Sequence, residues 1–344
     1  MPYQLPPDPR TERRARITGW ITFGFAAVLV ALLAYFGYIA YEGSRQLADH
    51  PSPTTDCRTP ATLGWPYEAI NYDPATDAAL EGVSDCTGDV EPARNVVAGP
   101  GGIGLAGWYV PAASGAGPSA PTVVVAHGWG SNKSNMLERA AILHDAYNLV
   151  LFDFRNHGQS AEAPTTQGVR EAGDLRAILD WLEATKGPSQ IAVLGVSMGG
   201  ASALNAADDD ERIDALIIES AHATLANAAE ARLTAAGYPL ALPGSWAILL
   251  GSLIRTGEDV SSADPIGSVR GLEDRPLLLI TGELDGTIGP TDAEDMRRAA
   301  AQAGVPVELH VCDRAGHSQS YDACAEEYRG WVLGFLQRVL APAG

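Results

Sequence analysis

The stretch that most constrains the fold is 191–205, Ile-Ala-Val-Leu-Gly-Val-Ser-Met-Gly-Gly-Ala-Ser-Ala-Leu-Asn. Its first six residues are an apolar run broken only by Gly195, the signature of a strand buried on both faces. The run turns at Gly195-Val196-Ser197-Met198-Gly199 and passes at once into an Ala-rich, helix-favouring segment. Further strand candidates at 122–127, 149–154, 213–219, 277–281 and 307–311 repeat the theme. Between them lie helical patterns, notably 168–185, where Val169, Ala172, Leu175, Ile178, Leu179 and Leu182 recur at helical spacing. Strands apolar throughout, alternating with helices, predict a parallel sheet covered on both faces, with functional loops at the carboxyl ends of the strands. Before this block, short β-like runs at 94–97 and 105–110 predict an antiparallel lead-in hairpin.

The turn at Ser197 also has chemical content. A serine between glycines, on a sharp strand-to-helix turn, projects its hydroxyl from the sheet, while the next amide, that of Met198, opens a helix and faces any oxyanion that forms there. Such a nucleophile needs a base, and the base needs an orienting acid. Of seven histidines, His317 follows the last strand candidate in Arg314-Ala-Gly-His-Ser, with Gly316 to allow the turn. His310 lies inside that strand, His144 in a helix and His50 in a polar linker; His222, at the start of an insertion, is the rival base. Asp285 follows the penultimate strand in Thr281-Gly-Glu-Leu-Asp-Gly, with Glu283 and Asp313 as ordinary solvated competitors.

The order Ser197, Asp285, His317, together with His127-Gly128-Trp129-Gly130, Asp153-Phe-Arg-Asn-His-Gly-Gln-Ser160 and Gly195-Val-Ser-Met-Gly199, resembles the α/β-hydrolases of the serine aminopeptidase-like group, which includes bacterial esterases and lysophospholipase-like proteins. The resemblance runs from about residue 61 to the end. It implies an α/β-hydrolase fold: a mostly parallel eight-stranded sheet, helices on both faces and a small helical cap. It also implies Ser197 as nucleophile, His317 as general base and acid, Asp285 as its orienter, and the amides of Trp129 and Met198 as the oxyanion hole. Asn156 stands where the family usually has glycine, and asparagine tolerates the left-handed conformation better than most residues. Asp153, Arg155 and His157 read as a loop-fixing network. The interval 221–263 reads as two amphipathic helices around Pro239 and Pro243, either a cap lining an apolar pocket or helices packed on the core.

Residues 1–16 form a tail holding Arg10, Arg13, Arg14 and Arg16 against Asp8 and Glu12; with a net charge of −19 overall, the remainder carries −21. So acidic a body is repelled by phosphate backbones, which argues against nucleic acid as a partner. No charged residue lies within 17–41, and a helix of that length rises about 37 Å, enough to cross a bilayer core of about 30 Å. Trp20 near one end and Tyr35, Tyr38 and Tyr41 near the other suit the two interfaces. The reading is a transmembrane helix at 17–41 contacting the lipid bilayer, a linker at 42–60 and a hydrolase domain at 61–344; a cleaved signal peptide is the alternative. The N-terminal arginines place the tail in the cytoplasm and the domain outside the cell membrane. Cys57, Cys86, Cys312 and Cys324 contain no C-x-x-C pair and no zinc spacing, so no metal or cofactor is expected. Proximity favours Cys57–Cys86 and Cys312–Cys324 among three possible pairings, against four buried thiols.

The activity expected is hydrolysis of carboxylic esters, with an apolar acyl or alkyl part suited to the cap. Alternatives are an aminopeptidase, for which Glu219 and Glu230 would hold the substrate ammonium, and a non-catalytic binding module. A dehalogenase would need Asp at 197.

Overall fold

The computed structural model describes residues 9–49, 58–71 and 97–340. His50, Cys57, Cys86 and residues 94–96 of the first β-like run lie outside them. The strands are β1 (Glu68–Ile70), β2 (Ala98–Gly99), β3 (Ile103–Gly104), β4 (Gly107–Val110), β5 (Thr122–Ala126), β6 (Asn148–Phe152), β7 (Ile191–Val196), β8 (Ala215–Glu219), β9 (Leu277–Gly282) and β10 (Val307–Cys312). The helices are α1 (Pro9–Ala48), α2 (Leu137–Ala141), α3 (Val169–Thr185), α4 (Met198–Asp209), α5 (Leu225–Ala235), α6 (Ala241–Thr256), α7 (Pro265–Ser268), α8 (Pro290–Ala303), α9 (Ser320–Ala323) and α10 (Ala325–Val339).

Eight strands form one sheet in the order β1-β4-β6-β5-β7-β8-β9-β10, and β2 and β3 form a separate hairpin. Only β4 runs against its neighbours; the pairs from β6 to β10 are parallel. Side chains alternate across the sheet as the strand period requires. Val124, Val150, Val193 and Leu216 face Leu175 and Ile178 of α3, Leu204 of α4 and Met296 of α8. Val123, Leu149, Leu194 and Ile217 face Leu137 of α2 and Val332 and Phe335 of α10. Both faces are therefore dry over the central strands, which is why β5, β7, β8 and β9 read as mainly apolar runs.

The carboxyl ends of β5, β7 and β8 are level, with Ala126 opposite Gly195 and Gly195 opposite Ile218. On the neighbouring strands Gly282 and Cys312 are likewise paired. The loops after these strands consequently open on one edge.

The N-terminal helix differs from the expectation at both ends. Residues 9–16 and 42–48, read as tail and linker, are helical. Arg45 bonds Glu42 and pairs with Asp49, contacts three and four residues apart that support a helix. More important is packing: from Tyr35 onward α1 lies against α6, with Ile39 buried among Ala229, Leu233 and Ile248. From Ile17 to Ala34 the same helix is exposed all round, and its apolar part is long enough to cross a membrane, with a mean hydropathy of 2.1 over the 18-residue window. His144 sits in the turns after α2 rather than in a helix, stacked on Trp65. Helix α6 begins at Ala241; Pro243 falls in its first turn, where its missing N–H has no cost.

Candidate active site

Ser197 follows β7 directly and occupies the N-cap position of α4 at φ 53° and ψ −118°, a region that non-glycine residues rarely enter and that tertiary packing must impose. Its flanking glycines answer to close approach. A Cβ on Gly195 would lie 2.6 Å from the carbonyl oxygen of Gly199, and one on Gly199 would lie 2.4 Å from that of Ala126. The Ser197 amide donates to the Glu219 carbonyl at 2.8 Å, tying the turn to β8. Met198 is the first residue of α4, so its amide has no carbonyl within the helix to bond.

Three side chains 32 to 120 positions apart meet here. Ser197 Oγ lies 3.0 Å from His317 Nε2, and His317 Nδ1 lies 2.8 Å from Asp285 Oδ2. The other oxygen of Asp285 accepts from the amides of Thr287 and Ile288 at 2.9 and 2.8 Å. Those two donors fix the carboxylate, and the carboxylate selects the tautomer in which Nδ1 carries the proton and Nε2 faces the serine. His222 is buried nearby and held neutral, its pKa pushed down to about 4 by burial and by repulsion from His317. Its Nε2 makes no hydrogen bond among the described residues, and the imidazole bonded to Ser197 is that of His317.

The loop after β5 carries Gly128 against the serine: a Cβ there would stand 3.2 Å from Ser197 Cβ. Two neutral imidazoles hold this loop. His127 accepts the Phe154 amide at Nε2, so its Nδ1 donates to the Gly128 carbonyl. Burial, then repulsion from His157, pushes the His127 pKa down to about 3. His157 accepts the Gly130 amide at 3.2 Å and donates to the Arg155 carbonyl. Asp153, also fully buried, accepts from the Lys133 amide and ammonium and the Gln159 amide. Burial pushes its pKa up, but Lys133 and His127 outweigh this and hold it below the usual carboxylate range. Arg155 grips Asp174 with two nitrogens, at 2.6 and 2.9 Å. Asn156 adopts φ 65°, the left-handed conformation for which the family pattern has glycine.

Glu219, read from the sequence only as a holder of a substrate ammonium, has a different set of partners. Glu219, at the end of β8, is fully buried and pairs with Arg139 through both carboxylate oxygens, at 2.9 and 3.0 Å. It also accepts from Tyr328 and from the amide of Ser320, while Arg139 donates to the carbonyl of Ser318, next to His317. A substrate ammonium therefore finds Glu219 already occupied. The signal was present: a single acid closing an otherwise apolar strand must have a buried partner.

Comparison with known proteins fixes the family. A family model described as the alpha/beta hydrolase fold matches residues 121–275. An uncharacterized protein of Mycobacterium tuberculosis is 32% identical over 220 residues, covering 63% of this chain and 69% of that protein. The chain belongs to the α/β-hydrolase family. Another relative of this α/β-hydrolase, YfhR of Escherichia coli K12, is 27% identical over 248 residues, covering 70% of this chain and 79% of YfhR. Among solved structures, the esterase Pf2001 of Pyrococcus furiosus superposes with a TM-score of 0.65 at 23% identity, over 86% of this chain and 99% of that one. The fold places the Ser197 turn at the strand ends where α/β-hydrolases carry their nucleophile elbow, and a hydrolase is what the family and fold support.

Proposed function

We propose that the protein is a membrane-anchored serine hydrolase of carboxylic esters. The observation that carries this is the unbroken relay from Asp285 through His317 to Ser197, 2.8 and 3.0 Å per link, ending on a strained serine. Ser197 Oγ attacks the acyl carbonyl while His317 Nε2 takes its proton; the amides of Trp129 and Met198 stabilise the oxyanion. The ester C–O bond breaks, and His317 returns the proton to the leaving alcohol. Water, deprotonated by the same imidazole, then releases the acid and restores the serine. No cofactor enters this cycle.

Esters rank ahead of peptides because Glu219, one of the two carboxylates the sequence offered for holding an ammonium, is spent on Arg139. Retention of α1 as an anchor is supported by its packing: a Cβ on Gly251 would come within 2.3 Å of the Ala40 carbonyl oxygen, and one on Gly43 within 2.5 Å of Ile248. Cleavage of a signal peptide would strip this cover from α6. The Arg-rich tail sets the N-terminus inside, and the Cys312–Cys324 bridge suits a domain outside the cytoplasm.

Ser197→Ala tests the assignment. Hydrolysis of a nitrophenyl ester should fall by at least about 10³-fold, in line with loss of a triad member; full activity would place the nucleophile elsewhere.

A further inference from the structure

The cavity under the cap is not closed by the cap alone. Leu233 of α5, Ile248 of α6 and Trp129 line one side, and Tyr38, Glu42 and Leu47 of α1 are among the residues lining the other. Its volume is about 160 Å³, a narrow space that opens to the outside and falls below the roughly 300–1,000 Å³ usual for drug-sized ligands. The lining is mainly apolar, and Arg232, whose guanidinium lies 5.6 Å over the Trp129 ring, brings a charge to it. Trp129 is also the residue whose amide the sequence resemblance assigns to the oxyanion hole, and among the residues given a role in the reaction it is the one that reaches the cavity.

The α1 wall is built in, not loosely tethered. Arg255 donates to Ser44 at 3.2 Å, the Tyr35 hydroxyl donates to the Pro239 carbonyl, and Ile39 is only 3% exposed. The Tyr35–Pro239 contact also sets the depth of the cap. A bilayer core of about 30 Å takes up about 20 helical residues, which counted from Ile17 reach Phe36. The α5–α6 hairpin therefore meets the membrane interface. There it presents an apolar face with no protein partner among the described residues: Leu240, Leu242, Trp246, Leu250 and Ile254 are 53 to 78% exposed. Trp and Leu on one face of a helix at that level are suited to burial at the headgroup boundary.

We propose that the anchor helix is part of the substrate site. In this arrangement the segment from Tyr38 to Leu47 forms one wall of an acyl-chain pocket. The pocket takes the long chain of an ester resident in the bilayer, admitted where α1 and the cap hairpin meet the lipid. This rests on the ester-hydrolase reading above, which supplies the chemistry at the end of the pocket.

The test uses the full chain in phosphatidylcholine vesicles, with nitrophenyl palmitate and nitrophenyl acetate as probes. Leu47→Trp, from the α1 wall, and Ala236→Trp, from the cap wall, should each lower the palmitate-to-acetate ratio of kcat/KM at least tenfold. Because the ratio is internal to each preparation, partial misfolding cancels; an unchanged ratio in both variants overturns the proposal. Palmitate ester placed in the enzyme's own vesicles should be cleaved at least tenfold faster than the same ester on separate vesicles, and equal rates overturn delivery from the bilayer. A diazirine-bearing palmitic acid added to wild type and to Ser197→Ala should crosslink within 38–47 and 229–248. Crosslinks elsewhere overturn the pocket whether or not the chain hydrolyses anything. Crosslinks there without hydrolysis would instead refute the ester reading and leave the pocket standing.

Discussion

At the scale of single residues, the site depends on buried charges that have already found partners. Arg139 and Glu219 are the clearest case, because the pair lies beneath the loop carrying His317 and bonds its backbone on both sides of Gln319. Removing one member leaves the other charged and buried, which typically costs 3–5 kcal/mol. Arg139→Ala should lower the urea unfolding free energy by about that amount. Arg139→Met with Glu219→Leu should recover most of the loss; a single variant as stable as wild type would contradict the network. His222 gives a pH signature. An unfolded histidine takes its proton near pH 6.5, whereas folded His222 stays neutral down to about 4. Acid therefore favours the unfolded chain, and stability contributed by neutral burial is lost as pH falls from 6.5 toward 4. The slope is about 1.4 kcal/mol per pH unit for one proton. His222→Leu should flatten the urea-midpoint profile over that interval by one proton's worth, and an unchanged slope would show that His222 titrates normally. These contacts were illegible in the sequence for a physical reason. Arg139 and Glu219 are 80 positions apart and Glu219 and Tyr328 are 109 apart, and no periodicity reports on such pairs.

At the scale of elements, β5 to β9 were legible because both faces of the sheet are covered there, so each is a mainly apolar run with turn residues at its end; β10, at the sheet edge, is only partly buried and mixes Glu308 and His310 into its run. Ser197, His317 and Asp285 were legible because each sits just past such a run, and β7, β9 and β10 end on the same edge. Asn156 shows how local chemistry substitutes for a family residue: its left-handed backbone is one that asparagine tolerates. The loop after β10 is closed by Cys312–Cys324, whose Cα atoms are 6.1 Å apart and which bracket His317. Replacing both cysteines by serine opens a 12-residue separation, with a stability loss of about 3 kcal/mol expected for a loop of that size. Ester turnover should drop as the base loosens, while thermal unfolding reports the lost constraint. No change in either would show that the loop is held by Arg139 and Glu219 alone.

At the scale of the whole molecule, a long apolar helix and an α/β domain could be read from the sequence, but not how they join. The apolar stretch 17–41 is legible by composition, yet nothing in it says that the helix continues to Ala48 and seats Ile39 between α5 and α6. The small residues Gly43 and Gly251 allow that seat, and glycines in a helix read equally well as breakers or as contact points. Similarly, the apolar character of the α6 stretch left open whether it lines a pocket as a cap or packs as a helix on the core, and Ile248 of α6 lines the cavity. Nor is α6 forced to choose between packing on protein and facing outward. It does both: Ile248 and Leu249 are buried, while Trp246 and Leu250 are exposed. The acidic body argues against polyanions as partners, and the exposed apolar residues of α6 agree with the proposal of ester substrates met at an interface.

The central claim is that His317 activates Ser197, and a fluorophosphonate probe tests it directly because only an activated serine reacts. Wild type should be labelled stoichiometrically, with the adduct mapped by mass spectrometry to the peptide containing Ser197, and labelling should vanish in His317→Ala. An unlabelled wild type, or an adduct on any other serine, would contradict the account.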